Sequence, residues 1–228
     1  IAPVAFTRGN ERRTTPQPVG GNLRVASANV LNYFTTFTNG ANVAGQTGQG
    51  CTIGGNTSLS NCRGADNLVE YIRQRDKIVA ELKGIDADVF GLMEIQNDGD
   101  YSAGVLVDSL NAAYGATVYA VVPKPPATGT DAIRVAMIYK PGKLTLVGTA
   151  KSDADGINNR PPMAQTFQAA NGGNHWDRCM PGVPELADGE LTTHFQAHHE
   201  EEQRHQAVVD PVLQVHRELP VRQRDRGL

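Results

Sequence analysis

Residues 88–95 have the sequence DVFGLMEI, and this short stretch decides the fold. Nearly all of its side chains are apolar, and they do not alternate with polar ones, which is typical of a central strand covered on both faces. Glu94 interrupts the run near its end, where a carboxylate is costly unless it is paired or binds a metal ion. By itself, Glu94 fits either a metal ligand or an ordinary salt-bridged or exposed residue at a strand end.

The segments around this run alternate between strand and helix patterns. A strand is predicted from Leu23 to Asn29 or Val30. A helix is predicted over 66–82, with Asp66 as its N-cap and Gly84 as its stop. A second helix over 102–113 and strands over 119–122, 133–139, 144–147 and 163–168 follow. This order predicts an α/β fold with a mixed sheet and helices on one side.

Arg75 lies in the middle of the apolar face of the first predicted helix. Two explanations stay open. Its long side chain can extend to the edge of the face and reach water. Alternatively, a buried guanidinium can pair with a carboxylate near a functional site.

Two cysteines, Cys51 and Cys62, flank a loop rich in Gly, Asn and Ser. This arrangement predicts a disulfide and an oxidising compartment, so we expect a secreted, extracellular protein. The alternative is a pair of free thiols in a cytosolic loop. A zinc site is disfavoured because no histidine lies nearby, and Cys179 is left without an assigned role.

Charge and hydropathy restrict the classes of function. The chain has 228 residues and a formal net charge of −3, so it has no global basic field to attract nucleic acid. This weakly disfavours a non-specific DNA-binding protein, although bound metal ions can supply positive charge to a nuclease. No apolar run is long enough to span a bilayer.

Composition divides the chain into three parts. Residues 1–22 are predicted to be a linker or the end of a preceding domain, and 23–171 form the α/β part. All six histidines and the only tryptophan follow Asn171. The tail, 172–228, shows one helix-like polar stretch over about 193–209 and no strand pattern.

Five segments in order resemble the secreted bacterial nucleases of the endonuclease/exonuclease/phosphatase superfamily, which includes enzymes with the pancreatic deoxyribonuclease fold. These segments are LRVASANVLNYF (23–34), CRGADNLVEYIRQRDKIVAEL (62–82), DADVFGLMEIQNDG (86–99), GTDAIRVAMIYKP (129–141) and NRPPMAQTF (159–167). The resemblance covers about residues 20–170. It implies an incomplete four-layer α/β sandwich of the deoxyribonuclease-like kind, followed by a non-matching tail. The implied activity is hydrolysis of phosphodiester bonds in nucleic acid, DNA more than RNA, with Mg²⁺ or alternatively Mn²⁺ or Ca²⁺.

The resemblance also implies roles for four residues. Glu94 is expected to bind the divalent ion, and Asn29 to orient the phosphate and contact the metal. Asp131 is expected to support a catalytic histidine or contact the phosphate, and Arg160 to face the substrate backbone, for which its forked donors are suited. From the residues alone, Asp131 also fits a turn, and Arg160 an exposed loop before two prolines.

The later family motifs, which supply the general base and the transition-state stabiliser, are absent. Asn174-His175 has the letters of one motif but no apolar strand before it. We therefore expect most of the second sheet to be missing, an apolar face to be uncovered, and nuclease activity to be impaired.

Two rival functions remain at this level. The same fold acting on a phospholipid or an inositol phosphate would keep the chemistry and change the substrate. A non-catalytic binding module could instead use the histidines of the tail, His194, His198, His199 and His205, to hold Zn²⁺ or a partner.

The abrupt change in composition suggests that residues from about 172 onward come from a reading-frame shift or a truncated gene. Translating the nucleotide sequence in its other frames after codon 173 is expected to recover an apolar strand ending in Asn-His. Failure in every frame would contradict the hypothesis.

Overall fold

The structure is a computed structural model that describes residues 23–158 and 160–169, together with the backbone of a strand at 190–195. The predicted linker at 1–22 lies outside the described residues. So do 170–189 and 196–228, which include Asn174-His175, Cys179 and three of the four histidines considered for zinc.

Strands and helices follow the predicted order closely. The elements are β1 (Val25–Tyr33), β2 (Cys51–Ile53), β3 (Asn56–Ser58), α1 (Leu68–Ile85), β4 (Val89–Gln96), α2 (Tyr101–Tyr114), β5 (Ala120–Val121), β6 (Ile133–Tyr139), β7 (Leu144–Ser152), β8 (Met163–Ala169) and β9 (Glu190–Phe195). A short 3₁₀ helix, Leu59–Asn61, lies between β3 and α1.

The central sheet has the strand order β1-β4-β6-β5. Strands β1 and β4 are parallel, whereas β4–β6 and β5–β6 are antiparallel, so the sheet is mixed as predicted. Phe90 and Leu92 of β4 face the core formed with the helices, and Val89 faces the opposite core. The prediction that residues 88–95 form a central strand covered on both faces is therefore confirmed.

Helices α1 and α2 cover one face of this sheet, and strands β7 and β8 cover the other. Val135 and Met137 of β6 pack with Leu144, Met163 and Phe167, while the alternate residues of β6 point toward the helices. Because side chains alternate along a strand, β6 needs apolar partners on both sides. The expectation that this face is uncovered is wrong for the described residues, since β7 and β8 supply part of a second sheet.

Strand β9 extends this second sheet by pairing antiparallel with β8. The tail was expected to contain no strand, and 193–195 were expected to be helical, so both expectations are wrong at these residues. The edge of β8 offers backbone hydrogen-bond partners, and such tertiary context outweighs a weak local pattern. The rest of the predicted helical stretch lies outside the described residues.

The ends of α1 differ from those predicted. Asn67 is the N-cap, and its side chain accepts hydrogen bonds from the N–H groups of Val69 and Glu70. Asp66 instead accepts a hydrogen bond from the Thr38 hydroxyl. The helix continues past Gly84 and ends at Asp86, which adopts the left-handed conformation with φ of 52°. No described helix has the length and apolar character needed to cross a membrane.

Arg75 matches neither explanation completely. Its side chain is 31% exposed and bonds the neighbouring carboxylate of Asp76, with an Nη2–Oδ1 distance of 2.8 Å. The guanidinium also lies 6.0 Å from the ring centre of Tyr71. The side chain stays partly exposed, as expected for one that reaches water, but its carboxylate partner is an exposed residue on the same helix.

The predicted disulfide is present between Cys51 and Cys62. Both cysteines are buried with Phe34, Ala132 and Ile133 in a small core of their own. The bond therefore anchors the hairpin of β2 and β3 against the start of β6.

Replacing both Cys51 and Cys62 by Ser is expected to lower the free energy of unfolding by roughly 2–3 kcal/mol, because a loop of this length is no longer closed in the unfolded chain. Urea titration followed by circular dichroism measures the change. Reduced wild-type protein is the control and should match the variant. A variant as stable as the oxidised protein would show that the bond contributes nothing to stability.

Candidate active site

The candidate site lies where β1 and β4 end and β6 begins. In the register of β1 with β4, Asn29 lies opposite Met93 and Tyr33 lies opposite Ile95. Three residues of β1 therefore face a single residue of β4, which is Glu94. The pairing of β4 with β6 is also irregular at this point. The regular pairing of β4 is therefore interrupted at Glu94 on both sides, toward β1 and toward β6.

The backbone is unusual at this break. Leu31, Asn32 and Glu94 have φ values of 53°, 49° and 67°, and they are three of the four non-glycine residues with positive φ in the described chain. Each such residue costs roughly 1–2 kcal/mol for an L-amino acid. Strained residues persist only when their surroundings hold them, and they concentrate at functional sites.

Glu94 and Asn32 form the centre of the site. The Asn32 N–H donates to Oε2 of Glu94 at 3.0 Å. Glu94 is half-buried, and no lysine or arginine among the described residues forms an ion pair with it. The side-chain oxygen of Asn32 is buried without a hydrogen-bond partner. An unpaired carboxylate and an unsatisfied amide oxygen are hard donors of the kind that Mg²⁺ prefers, so these residues fit a divalent cation.

Asn29 lies at the same strand end, with an exposed side chain. Its Oδ1 accepts a hydrogen bond from the Leu31 N–H at 2.8 Å, which supports the turn of the backbone. The side-chain NH₂ of Asn29 is then better placed to donate to a phosphate oxygen than its occupied carbonyl is to bind a metal. Sequence reasoning selected Asn29 and missed Asn32, although asparagine is a residue that tolerates positive φ.

Two neighbouring elements hold this strand end in place. Gln74 of α1 donates from Nε2 to the carbonyl oxygens of Val30, at 3.1 Å, and Leu31, at 2.6 Å. Gly64 has φ of +92°, and a Cβ at this position would lie only 2.4 Å from the carbonyl oxygen of Asn32. The close approach of the 62–64 segment therefore requires glycine at position 64.

Asp131 and Arg160, both predicted as site residues, contact each other. Arg160 Nε lies 3.4 Å from Oδ2 of Asp131, and Arg63 Nη2 lies 3.2 Å from Oδ1. Asp131 also accepts a hydrogen bond from the Ala132 N–H at 2.6 Å and lies in a bend just before β6, and its role at a functional site stays a prediction. Arg63 was missed, because its partner is distant in the sequence and only the fold brings the two together.

A continuous series of contacts links the Glu94–Asn32 pair to the cluster of Asp131 with its two arginines. Glu94 bonds Asn32, and Asn32 contacts Gly64. Gly64 follows Arg63 directly, and Arg63 pairs with Asp131, which in turn pairs with Arg160. This edge of the fold, where β1 and β4 end and β6 begins, therefore joins three of the four predicted residues, Glu94, Asp131 and Arg160. Asn29 connects to it through the Leu31 N–H, next to Asn32.

Arg134 is a buried cation that sequence reasoning also missed. It is 1% exposed and donates to the Gly99 carbonyl at 2.5 Å and to Asp100 Oδ1 at 2.8 Å. Burial lowers the pKa of the Arg134 guanidinium, and the charge of Asp100 opposes this shift. Arg134 fixes the loop that leaves β4 just after Glu94.

A polar pocket of about 380 Å³ lies beside this edge, between the 35–52 segment and the loop that leads into α2. Gln96, Asn97, Asp98 and Tyr101 are among its lining residues, and none of the four predicted site residues lines it. The contacts of Glu94 and Asp131, and not the position of this pocket, therefore define the candidate site.

Residues 23–169 contain no histidine, and His194 lies in β9, of which the structure describes the backbone. In the part of the chain that the structure describes, no three His, Cys, Asp or Glu side chains cluster together. A cation at Glu94 would rest on one carboxylate, amide oxygens and water, a set that Mg²⁺ accepts.

Comparison with known proteins gives partial similarities only. No protein-family model matches the sequence, and no curated protein matches it. An endonuclease/exonuclease/phosphatase family protein from Bacteroides thetaiotaomicron is 16% identical over 49% of this chain and 44% of its own, with a TM-score of 0.34. The human Nocturnin catalytic domain is 15% identical over 46% and 40%, with a TM-score of 0.33. A mannosyl-6-phosphatase from B. thetaiotaomicron is 14% identical over 67% and 48%, with a TM-score of 0.36. The chain spans less than half the length of each of these three proteins.

Gly64→Ala is expected to destabilise the protein by about 1–3 kcal/mol, because alanine is strained at positive φ and its Cβ would collide with the Asn32 carbonyl. Gly84→Ala is the matched control. Gly84 lies in α1 with nothing within 4 Å of an added Cβ, so this change should stabilise by about 0.5–1 kcal/mol. Thermal unfolding compares the two variants, and equal effects would contradict the close approach at Gly64.

Proposed function

We propose that this chain carries the cation-binding and phosphate-binding part of a metal-dependent phosphodiesterase that acts on nucleic acid, DNA more than RNA. The observation that carries the proposal is the pair formed by Glu94 and Asn32. The half-buried carboxylate of Glu94 has no cationic partner among the described residues, and it accepts a hydrogen bond from the backbone N–H of Asn32, whose own side-chain oxygen is buried without a hydrogen bond. A buried oxygen is unfavourable until a donor, a water molecule or a cation reaches it, and a cation would also neutralise the charge of Glu94.

The other residues of the edge suit a phosphodiester. Hydrolysis by water in line with the leaving oxygen needs donors to the non-bridging oxygens, and bound Mg²⁺ would neutralise part of the developing charge. Asn29 offers its side-chain NH₂, and Arg160 offers the guanidinium nitrogens that do not face Asp131. Asp131 holds Arg160 in place through a contact that is mostly buried, since only 13% of its side chain is exposed.

The proposal includes an impairment. A positioned general base contributes roughly 10²–10⁴-fold to the rate of such a reaction. No histidine is available in residues 23–169 to act as that base. We therefore expect cation and phosphate binding to be retained, and cleavage to be slow.

The disulfide supports a site of action outside the cytosol. Cys51 and Cys62 are joined next to Arg63, and such bonds persist in oxidising compartments. We propose that the protein is secreted and meets its substrate there.

Mg²⁺ is expected to raise the unfolding temperature of the wild-type protein, because a ligand that binds only the folded state stabilises it by about 2.7 kcal/mol at a hundredfold excess over its Kd. Glu94→Gln keeps the shape of the side chain and removes its charge, so the Mg²⁺ effect should disappear. Glu81→Gln on the exposed face of α1 is the matched control and should keep the full effect. A Glu94→Gln variant that responds to Mg²⁺ like the wild type would contradict the cation site.

Cleavage is tested with plasmid DNA, RNA and a phospholipid in parallel, each with Mg²⁺. Slow, Mg²⁺-dependent cleavage of DNA that Glu94→Gln abolishes is the expected result. Rapid cleavage of plasmid would contradict the impairment, and turnover of the phospholipid alone would contradict the proposed substrate class.

A further inference from the structure

We propose that Arg63 is a second phosphate-contacting residue, and that the Cys51–Cys62 disulfide holds it in position for this role. The inference rests on the proposed function, because it names a further binding group at the same edge. The ligand class is the singly charged phosphate of a nucleic-acid backbone. Arg160 alone was expected to face that backbone.

Asp131 cannot neutralise both of the arginines that it contacts. Its single carboxylate lies between Arg63 and Arg160, at 3.2 Å and 3.4 Å from the nearest nitrogen of each. One negative charge offsets only one of the two positive charges, so the three side chains together are left with a net charge of +1. A phosphodiester carries the opposite charge. Each guanidinium also keeps N–H donors that do not face Asp131, and these suit the oxygens of a phosphate.

The position of Arg63 along the edge also supports the proposal. The next residue, Gly64, packs against the carbonyl of Asn32, whose N–H binds Glu94. Arg63 therefore lies between the cation-binding end of the site and Arg160. The Arg63 side chain is 43% exposed, so a backbone that contacts both ends can reach it.

The disulfide supports both partners of the ion pair between Arg63 and Asp131. Cys62 directly precedes Arg63, and the two cysteines pack against Ala132 and Ile133, which directly follow Asp131. The turn between β2 and β3 is also bonded to the segment before β6, since the Gly54 N–H donates to the Thr130 carbonyl, next to Asp131, at 2.8 Å. Opening the disulfide is therefore expected to loosen Arg63 relative to Asp131.

A purely structural role for Arg63 predicts something different. An ion pair with an exposed guanidinium is screened by solvent and contributes little to folding. If Arg63 acted only in that way, its removal would leave binding of nucleic acid unchanged. Binding therefore separates the two roles more clearly than stability does.

The test is binding of a fluorescein-labelled single-stranded DNA oligonucleotide, followed by anisotropy over a series of salt concentrations in EDTA. Loss of one phosphate contact reduces the slope of log K against log salt by about 0.7. Arg63→Ala is expected to show this reduction, together with a several-fold weaker Kd, and Arg63→Lys should restore the slope. Arg73→Ala on α1, where the side chain is 68% exposed and pairs with Glu70, is the matched control and should bind like the wild type.

Reduction of the disulfide provides the second arm. Wild-type protein treated with a phosphine reductant should bind the oligonucleotide as weakly as the Arg63→Ala variant does. Reduction should not lower the affinity of the Arg63→Ala variant further. Circular dichroism confirms that the reduced protein stays folded at the assay temperature. If reduction instead unfolds it, the Cys51→Ser, Cys62→Ser variant is measured at the lower temperature where it is folded.

Three results would overturn the inference. An Arg63→Ala variant with wild-type affinity and slope would show that Arg63 does not contact a phosphate. Wild-type protein that does not bind the oligonucleotide would contradict the contact as well. If reduction lowered the affinity of wild type and of Arg63→Ala equally, the disulfide would affect binding through residues other than Arg63. Because the assay contains no divalent ion, a failure of Glu94 to bind Mg²⁺ would leave these results intact.

Discussion

The break in strand pairing at Glu94 is the constraint on which the candidate site depends. Three residues of β1 face one residue of β4, and this mismatch requires the left-handed backbone seen at Leu31, Asn32 and Glu94. A regular ladder would leave Glu94 with an ordinary extended backbone. The break instead aims a backbone N–H at its carboxylate and leaves the Asn32 amide oxygen unsatisfied. The strained backbone thus coincides with the two oxygen groups on which the proposed cation site rests.

The rest of the fold is arranged so that this break stays rigid. Strands β4 and β6 are buried on both faces, by the helices on one side and by β7 and β8 on the other. Such a core does not deform continuously, so the irregular strand ends are held by packed neighbours. Gln74 from α1 adds a direct restraint by donating to the carbonyls of Val30 and Leu31.

The parts of this structure that were predictable are those specified by local sequence. An uninterrupted apolar run predicts a central strand, and a carboxylate near its end marks Glu94 as a residue of interest. The exact helix start was not predictable, because Asp66 and Asn67 are both good caps and a tertiary contact with Thr38 decides between them. The family resemblance selected Asp131 and Arg160 separately, and their contact depends on long-range packing that no local pattern encodes.

The two ends of the site are therefore built by different physical means. The Glu94 end arises from two adjacent strands, and its geometry follows from the register between them. The guanidinium end is assembled from Arg63, Asp131 and Arg160, which come from three segments far apart in the chain. Bringing distant segments together costs loop-closure entropy, which grows with the length of the chain between them. A covalent bond beside Arg63 limits that loss, which gives a physical reason for a disulfide at this point in the fold.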